Sequence, residues 1–98
     1  MRCTVIGCWG GSCRKDGACS GYLLQHGDAA LLLDCGSGVA SAVQNVIPLT
    51  QLHHVVVSHY HFDHCSDAGA LDYGRLIDTQ RGVTSTPLTV WAPGDAPP

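Results

Sequence analysis

Glutamate is missing from this chain: all eight acidic residues are aspartate, and Lys15 is the sole lysine. With five lysines and arginines against those eight acids, the formal charge is −3. Such a balance gives no electrostatic footprint for nucleic acid or an anionic membrane. Arg14-Lys15 is the one adjacent basic pair. No apolar run approaches the length that spans a bilayer. The opening Met1-Arg2 is followed by a short apolar stretch broken by Gly7, Gly10 and Gly11, too short and glycine-rich for a secretory signal. A soluble, cytoplasmic protein with no membrane partner is therefore expected. Internal repeats are also absent.

Cys-x-x-Cys is absent too, which argues against a zinc ribbon. The six cysteines are Cys3, Cys8, Cys13, Cys19, Cys35 and Cys65. An even count in a short chain allows three disulfides in about fifteen pairings, but without a secretory signal that framework is not expected. Cys8, Cys13 and Cys19 share a glycine-rich loop and could form a soft metal or redox site. Free cysteine more commonly behaves as a small buried hydrophobe, so reduced thiols are the expectation.

What is present fits a single domain. Ninety-eight residues bury about two-thirds of their unfolded surface, giving a modest core. A hydrophobic fraction of 45% with 13% charged residues suits a globular chain rather than a disordered one.

Chemistry concentrates in Ser58-His59-Tyr60-His61-Phe62-Asp63-His64. Three imidazoles and one carboxylate fall within six consecutive positions, and these are donors suited to zinc or a similar divalent ion. In an extended segment, side chains two apart point the same way, so His59 and His61 can grip one ion. If the chain then turns into a helix, Asp63 and His64 swing to another side and can hold a second. Two ions about 3.5–4 Å apart form a clamp that activates water for hydrolysis. A lone His-x-His would more commonly be structural; four donors at a strand end are a different case.

In chain order, Arg2 to Ile6 reads as a first strand, Gly7 to Cys19 as a loop, and Ser20 to His26 as a second strand. His26-Gly27-Asp28 is a tight turn into a third strand, Ala29 to Leu33, whose unbroken apolar character suits cover on both faces. These three predict an antiparallel meander. Asp34 ends the third strand and is expected to anchor neighbouring backbone donors. A helix from Val39 to Ile47 would turn Ala40, Val43, Val46 and Ile47 to one face, with Pro48 closing it. Gly36-Ser37-Gly38-Val39-Ala40-Ser41 brushes against a dinucleotide fingerprint, but no acid lies near the ribose position and the third small residue is Ser41. Leu52 to Ser58 predicts a fourth strand with the histidine-rich loop at its C-terminal end. His26, His53 and His54 are surface or partly buried polar groups; the latter two start that strand, about 17–20 Å from the loop at ordinary rise. Cys65 to Thr79 predicts a helix marked by Ala68, Leu71, Arg75 and Ile77 or Asp78, with Asp67 at the positive end of its dipole. Gly69 and Gly74 weaken it, although Gly74 could permit close packing. Ser85 to Pro87 is a loop, Leu88 to Ala92 a fifth strand, and Pro93 to Pro98 a turn-rich tail.

His59-Tyr60-His61-Phe62-Asp63-His64 resembles the His-x-His-x-Asp-His signature of metallo-β-lactamase-fold hydrolases. Leu31-Leu32-Leu33-Asp34-Cys35-Gly36-Ser37-Gly38 and Thr4-Val5-Ile6-Gly7 extend the likeness, which runs from about Met1 to Pro93 and looks like the ribonuclease Z-like branch. The resemblance implies an α/β protein: a four-layer αββα sandwich of two similar halves. Residues 1–98 would supply the N-terminal half as a partial domain of about five strands and two helices, the second half being absent. A third histidine, a bridging aspartate and a last histidine would lie beyond Pro98. It also implies two zinc ions in the intact parent, His59 and His61 on the first, Asp63 and His64 on the second. Asp63 would be catalytic, orienting the nucleophile, and Asp34 would brace the metal loop rather than bind metal. The implied substrate is a phosphodiester, in RNA or a small molecule. Thioester, lactone and lactam hydrolysis stay open because function lives in the site, not the fold. The fragment itself is expected to be inactive. From another class comes a non-catalytic metal-binding or dimerising module: a half-sandwich exposes an apolar sheet face, which favours self-association, a homodimer included.

Overall fold

The computed structural model describes residues 1–12, 14–82 and 88–94, with the side chain of Arg75 excluded. The predicted loop at Ser85 to Pro87, the tail from Asp95 onward and Cys13 lie outside the described residues.

A five-stranded mixed sheet runs in sequence order. Its antiparallel part is β1 (Arg2–Gly7), β2 (Gly21–His26) and β3 (Ala29–Leu33), the expected meander. Gly27 and Asp28 form the two-residue turn between His26 and Ala29, and Gly27 takes φ 58°, a left-handed conformation open to glycine without steric cost. β4 (His54–Val56) and β5 (Thr89–Trp91) then add in parallel. A parallel neighbour needs a crossover. Between β3 and β4 it is made by α1 (Val39–Ala42) and two 3₁₀ turns, Val43–Asn45 and Leu49–Gln51. Between β4 and β5 lie α2 (Phe62–Cys65) and α3 (Ala68–Gln80).

Strand register explains where the core sits. Leu23, Leu32, Val55 and Val90 are direct cross-strand partners; the first three are fully buried, beneath Val39, Val43, Ile47, Leu52 and Leu71. Each such side chain contributes about 1.5–3 kcal/mol on burial. The next row, Val5–Tyr22–Leu33–Val56–Trp91, faces the other way. Its centre is half-buried and its ends are open, Val5 at 59% and Trp91 at 55% exposure. β3 is thus covered fully on one face only, not on both as its apolar run suggested.

The sheet and its helices match the predicted fold class; their limits differ. The expected Val39 to Ile47 helix is four α-helical residues followed by a 3₁₀ turn. Pro48 is extended at φ −64°, ψ 148°, and the residue before a proline is sterically pushed from helical geometry. The buried stripe is Val39, Val43 and Ile47, whereas Val46 is 41% exposed. β4 is assigned three residues rather than seven, though Thr89 N–H donating to His53 O and Val57 N–H donating to Trp91 O extend its ladder at both ends. The second helical region splits into α2 and α3. Gly74 does allow close packing: a Cβ there would sit 3.3 Å from Leu49 Cδ1. No described helix is long and apolar enough to cross a membrane.

Candidate metal centre

The histidine-rich loop leaves the C-terminal end of β4, where side chains converge from a rigid base. His61 is still extended (φ −65°, ψ 141°) and immediately precedes α2, which carries Asp63 and His64. Its carbonyl accepts the His64 amide at 2.9 Å, curling the chain back. This brings the three imidazoles into one cluster: ring centroids of His59 and His61 lie 4.6 Å apart, those of His59 and His64 4.1 Å. The two expected pairs therefore meet in one cluster. Asp63 joins them, its Oδ2 3.5 Å from His64 Nε2.

Asp34 holds this cluster from below. It is 5% exposed and takes φ 62°, which turns its side chain toward the loop. Its Oδ1 accepts the Ser58 amide at 2.7 Å, and its Oδ2 accepts the Ser58 hydroxyl and His64 Nδ1–H, each at 2.9 Å. Burial pushes its pKa upward, but the hydrogen bonds from the Ser58 amide, the His64 ring and the Ser58 hydroxyl outweigh that and hold it below the usual carboxylate range. The bracing role read from the sequence is what the structure shows. Asp63 is held below its ordinary range chiefly by the Gly11 amide, which donates to Oδ2 at 3.0 Å. That contact folds the glycine-rich β1–β2 loop over the site.

The loop is also clamped from behind. Cys35 N–H donates to His64 O at 2.8 Å, and Asp67 N–H to Cys35 O at 3.0 Å. Gly36 allows this approach: a Cβ there would lie 2.1 Å from the Asp63 carbonyl oxygen. The Tyr60 hydroxyl donates to Pro93 O, tying the loop to the segment after β5. Cys35 is buried, and its thiol is pushed up to about 12 by that burial and by the nearby Asp67, Cys65 and Asp34 charges, so it takes no part as a thiolate.

Among the described residues, no three His, Cys, Asp or Glu side chains are placed so that they could hold a metal ion ready-made. The donor set nevertheless fits one chemically: imidazoles with a carboxylate, one ring oriented through its Nδ1 by a buried aspartate, which leaves Nε2 as the donor.

Other candidates are not brought in. His26 and His54 are exposed and His53 half-buried; His54 Nδ1 instead accepts Trp91 Nε1–H at 3.2 Å. The dinucleotide fingerprint, already set aside because its acid and third small residue are missing, gains no support: the Gly38 and Ala40 amides that open α1 bond Asp67 Oδ2. Asp67 is the N-cap of α3 and its carbonyl accepts the Leu71 amide, but its carboxylate makes no capping hydrogen bond to that helix. Among the described residues Cys3, Cys8, Cys19, Cys35 and Cys65 form no disulfide, Cys8 being exposed and Cys19 buried. Ser58, Gly11 and Tyr60 were missed; only Ser58, beside the cluster, carried a signal that could have found it.

Residues 14–74 match the model of the metallo-beta-lactamase superfamily. A probable metallo-hydrolase of Bacillus subtilis, YhfI, is 43% identical over 91 residues, which is 93% of this chain and 37% of that protein. The YhfI crystal structure superposes with a TM-score of 0.89 at 41% identity, over 92% of this chain and 37% of the other. An uncharacterized protein of Mycobacterium leprae is 43% identical over 84 residues, covering 85% of this chain and 29% of its own length. The short form of human tRNase Z shares the fold, with a TM-score of 0.72 at 15% identity over 97% of this chain and 47% of that one. The chain thus spans less than half the length of these relatives.

Proposed function

This chain belongs to the metallo-beta-lactamase superfamily, and from that premise we propose that it is the N-terminal part of a dinuclear zinc-dependent hydrolase acting on phosphodiesters. The observation that carries the reading is the gathering of the His59, His61 and His64 rings above the buried Asp34. Superfamily membership supports a metal and a hydrolytic reaction; zinc and the phosphodiester are our finer reading, supported by the nitrogen-rich donor set and the fold shared with tRNase Z. His59 and His61 would hold one ion, Asp63 and His64 the other. The chemistry such a site would supply, with a divalent ion held by these residues, is polarisation of the scissile group and a water acidic enough to attack near neutral pH.

The chain's own residues set the stage. Asp34 fixes the His64 ring, the Gly11 amide holds the Asp63 carboxylate in place through Oδ2, and that carboxylate would be the acceptor that orients attacking water. Water adds to phosphorus, the ester oxygen leaves with a proton, and a phosphomonoester and an alcohol result. The remaining donors for two complete coordination spheres would come from sequence corresponding to the rest of the relatives' length.

A second reading, a non-catalytic metal-binding or dimerising module, is favoured by the open row Val5–Tyr22–Leu33–Val56–Trp91. Bound zinc and cleavage of a chromogenic phosphodiester, measured for a protein that carries this sequence at the relatives' full length and for its His61→Ala variant, separate the readings. Zinc-dependent turnover lost in the variant rules out the inactive module. Zinc retention without turnover favours it, and failure to bind any divalent metal sinks the hydrolase and the metal-binding module, leaving only a dimerising one.

A further inference from the structure

Ser58 stands between the bracing carboxylate and the first histidine. Its hydroxyl oxygen lies 2.9 Å from Asp34 Oδ2 and 2.8 Å from His59 Nδ1. A hydroxyl carries one proton and can accept through its lone pairs; an ionised carboxylate can only accept. A carboxylate is ionised at neutral pH, and the backbone amide of Ser58 also donates to Asp34, at Oδ1 and 2.7 Å. The Ser58 proton must therefore point at Asp34, since the reverse assignment leaves two oxygens 2.9 Å apart with no hydrogen between them. Once that proton is committed, the 2.8 Å contact with His59 is a bond only if His59 Nδ1–H donates to Ser58 Oγ. His64 Nδ1 faces the same Oδ2 at 2.9 Å and must donate as well. Both rings, when neutral, then carry their unprotonated lone pair on Nε2, the atom left to ligate.

We propose that Ser58 is a positioning residue that relays the acceptor character of Asp34 to His59, so that one buried carboxylate fixes the tautomer of two histidines, His64 directly and His59 through the hydroxyl. This inference rests on the metal-centre reading for its purpose but not for its geometry. The chain is shielded at its Asp34 end, which is 5% exposed, whereas Ser58 and its bond to His59 are exposed. Tautomer choice matters because a ring protonated on Nε2 has to surrender that proton, or turn over and leave its brace, before it can bind.

The test uses the ¹⁵N-labelled, metal-free chain at about pH 8, above the ordinary imidazole range, with long-range ¹H–¹⁵N spectra that separate Nδ1–H from Nε2–H rings. Both His59 and His64 are expected as Nδ1–H in the native chain. Ser58→Ala should move His59 alone toward the Nε2–H form, and Ser58→Thr, which keeps the hydroxyl, should restore it. Zinc affinity, read by competition with a chromogenic chelator, should fall about 10–100-fold in Ser58→Ala and recover in Ser58→Thr. A native His59 found as Nε2–H overturns the relay whatever the variants do. So does a Ser58→Ala spectrum in which His59 is unchanged, or in which both rings move together as they would in a displaced loop. The tautomer pattern as expected in a chain that binds no zinc upholds the relay while sinking the metal-centre reading.

Discussion

The Asp67 carboxylate accepts the backbone amide of Gly38 at 3.0 Å, and that of Ala40 at 3.1 Å. A residue that immediately precedes α3 therefore caps α1, joining the chain on either side of the crossover. The same residue's amide bonds Cys35 O, so both ends of the β3–α1 turn are held from the far side of the histidine-rich loop.

Removing that cap should cost stability. Asp67→Ala is expected to lower the unfolding free energy by about 0.5–2 kcal/mol, the usual range for losing an N-terminal cap, and Asp67→Asn by less because an acceptor remains. Urea titrations of the three proteins give the ranking. An alanine variant as stable as the parent would show that the two amides lose nothing without the carboxylate.

Gly36 and Gly69 should respond in opposite directions to alanine. At Gly36 the new Cβ would meet the Asp63 carbonyl oxygen at 2.1 Å and Cys19 Cβ at 2.6 Å, neither of which is a flexible tip. Overpacking of that kind costs about 1–3 kcal/mol, and here it pushes directly on the metal loop, so zinc affinity should fall too. At Gly69, in the first turn of α3, nothing lies within 4 Å. Gly69→Ala should raise stability by up to about 1 kcal/mol. Thermal melts of both variants provide the check.

Acid should loosen the protein through Asp34. Its folded pKa lies below its ordinary 3.8, so its contribution is complete above that value and is lost as pH falls through the lower folded pKa. Denaturant midpoints measured downward from neutral pH should drop in that window. The drop should be shallower in Asp34→Asn, whatever that variant's stability at neutral pH. Equal slopes would mean that other groups carry the acid sensitivity.

Zinc should stabilise the folded chain by mass action. At a free concentration about 100 times the dissociation constant, the gain is about 2.7 kcal/mol. Denaturant titrations with zinc and with a chelator should differ by that amount in the native chain and by little in His61→Ala.

Thiol reactivity should sort by burial. Cys3 and Cys8 are exposed, whereas Cys19 and Cys35 are buried, and the Cys35 thiol is pushed up to about 12. A disulfide reagent should label the first two quickly in the native state and the latter two only on unfolding. Six titratable thiols in an unreduced, denatured sample would rule out the disulfide framework.

The strands, their antiparallel start and the donor cluster could all be read from the chain itself. They rest on local rules: apolar patterning, a Gly-Asp turn with one workable geometry, and four side chains of metal-donor type crowded after Val57. Asp34 was legible for a related reason, a lone carboxylate closing an apolar strand. What folding alone decided is which distant groups those side chains meet. No local rule links Gly11 to Asp63, separated by 52 positions, or Asp67 to Gly38, separated by 29. The Asp67 carboxylate could equally have served the helix it begins; the approach of α1 across the sheet offered it two unpaired amides instead. The helix limits likewise shifted where Pro48 and tertiary packing overrode a periodic pattern. The sequence supplied the donors and acceptors, and the tertiary fold selected their partners, because a hydrogen bond depends on position in space and not on distance along the chain.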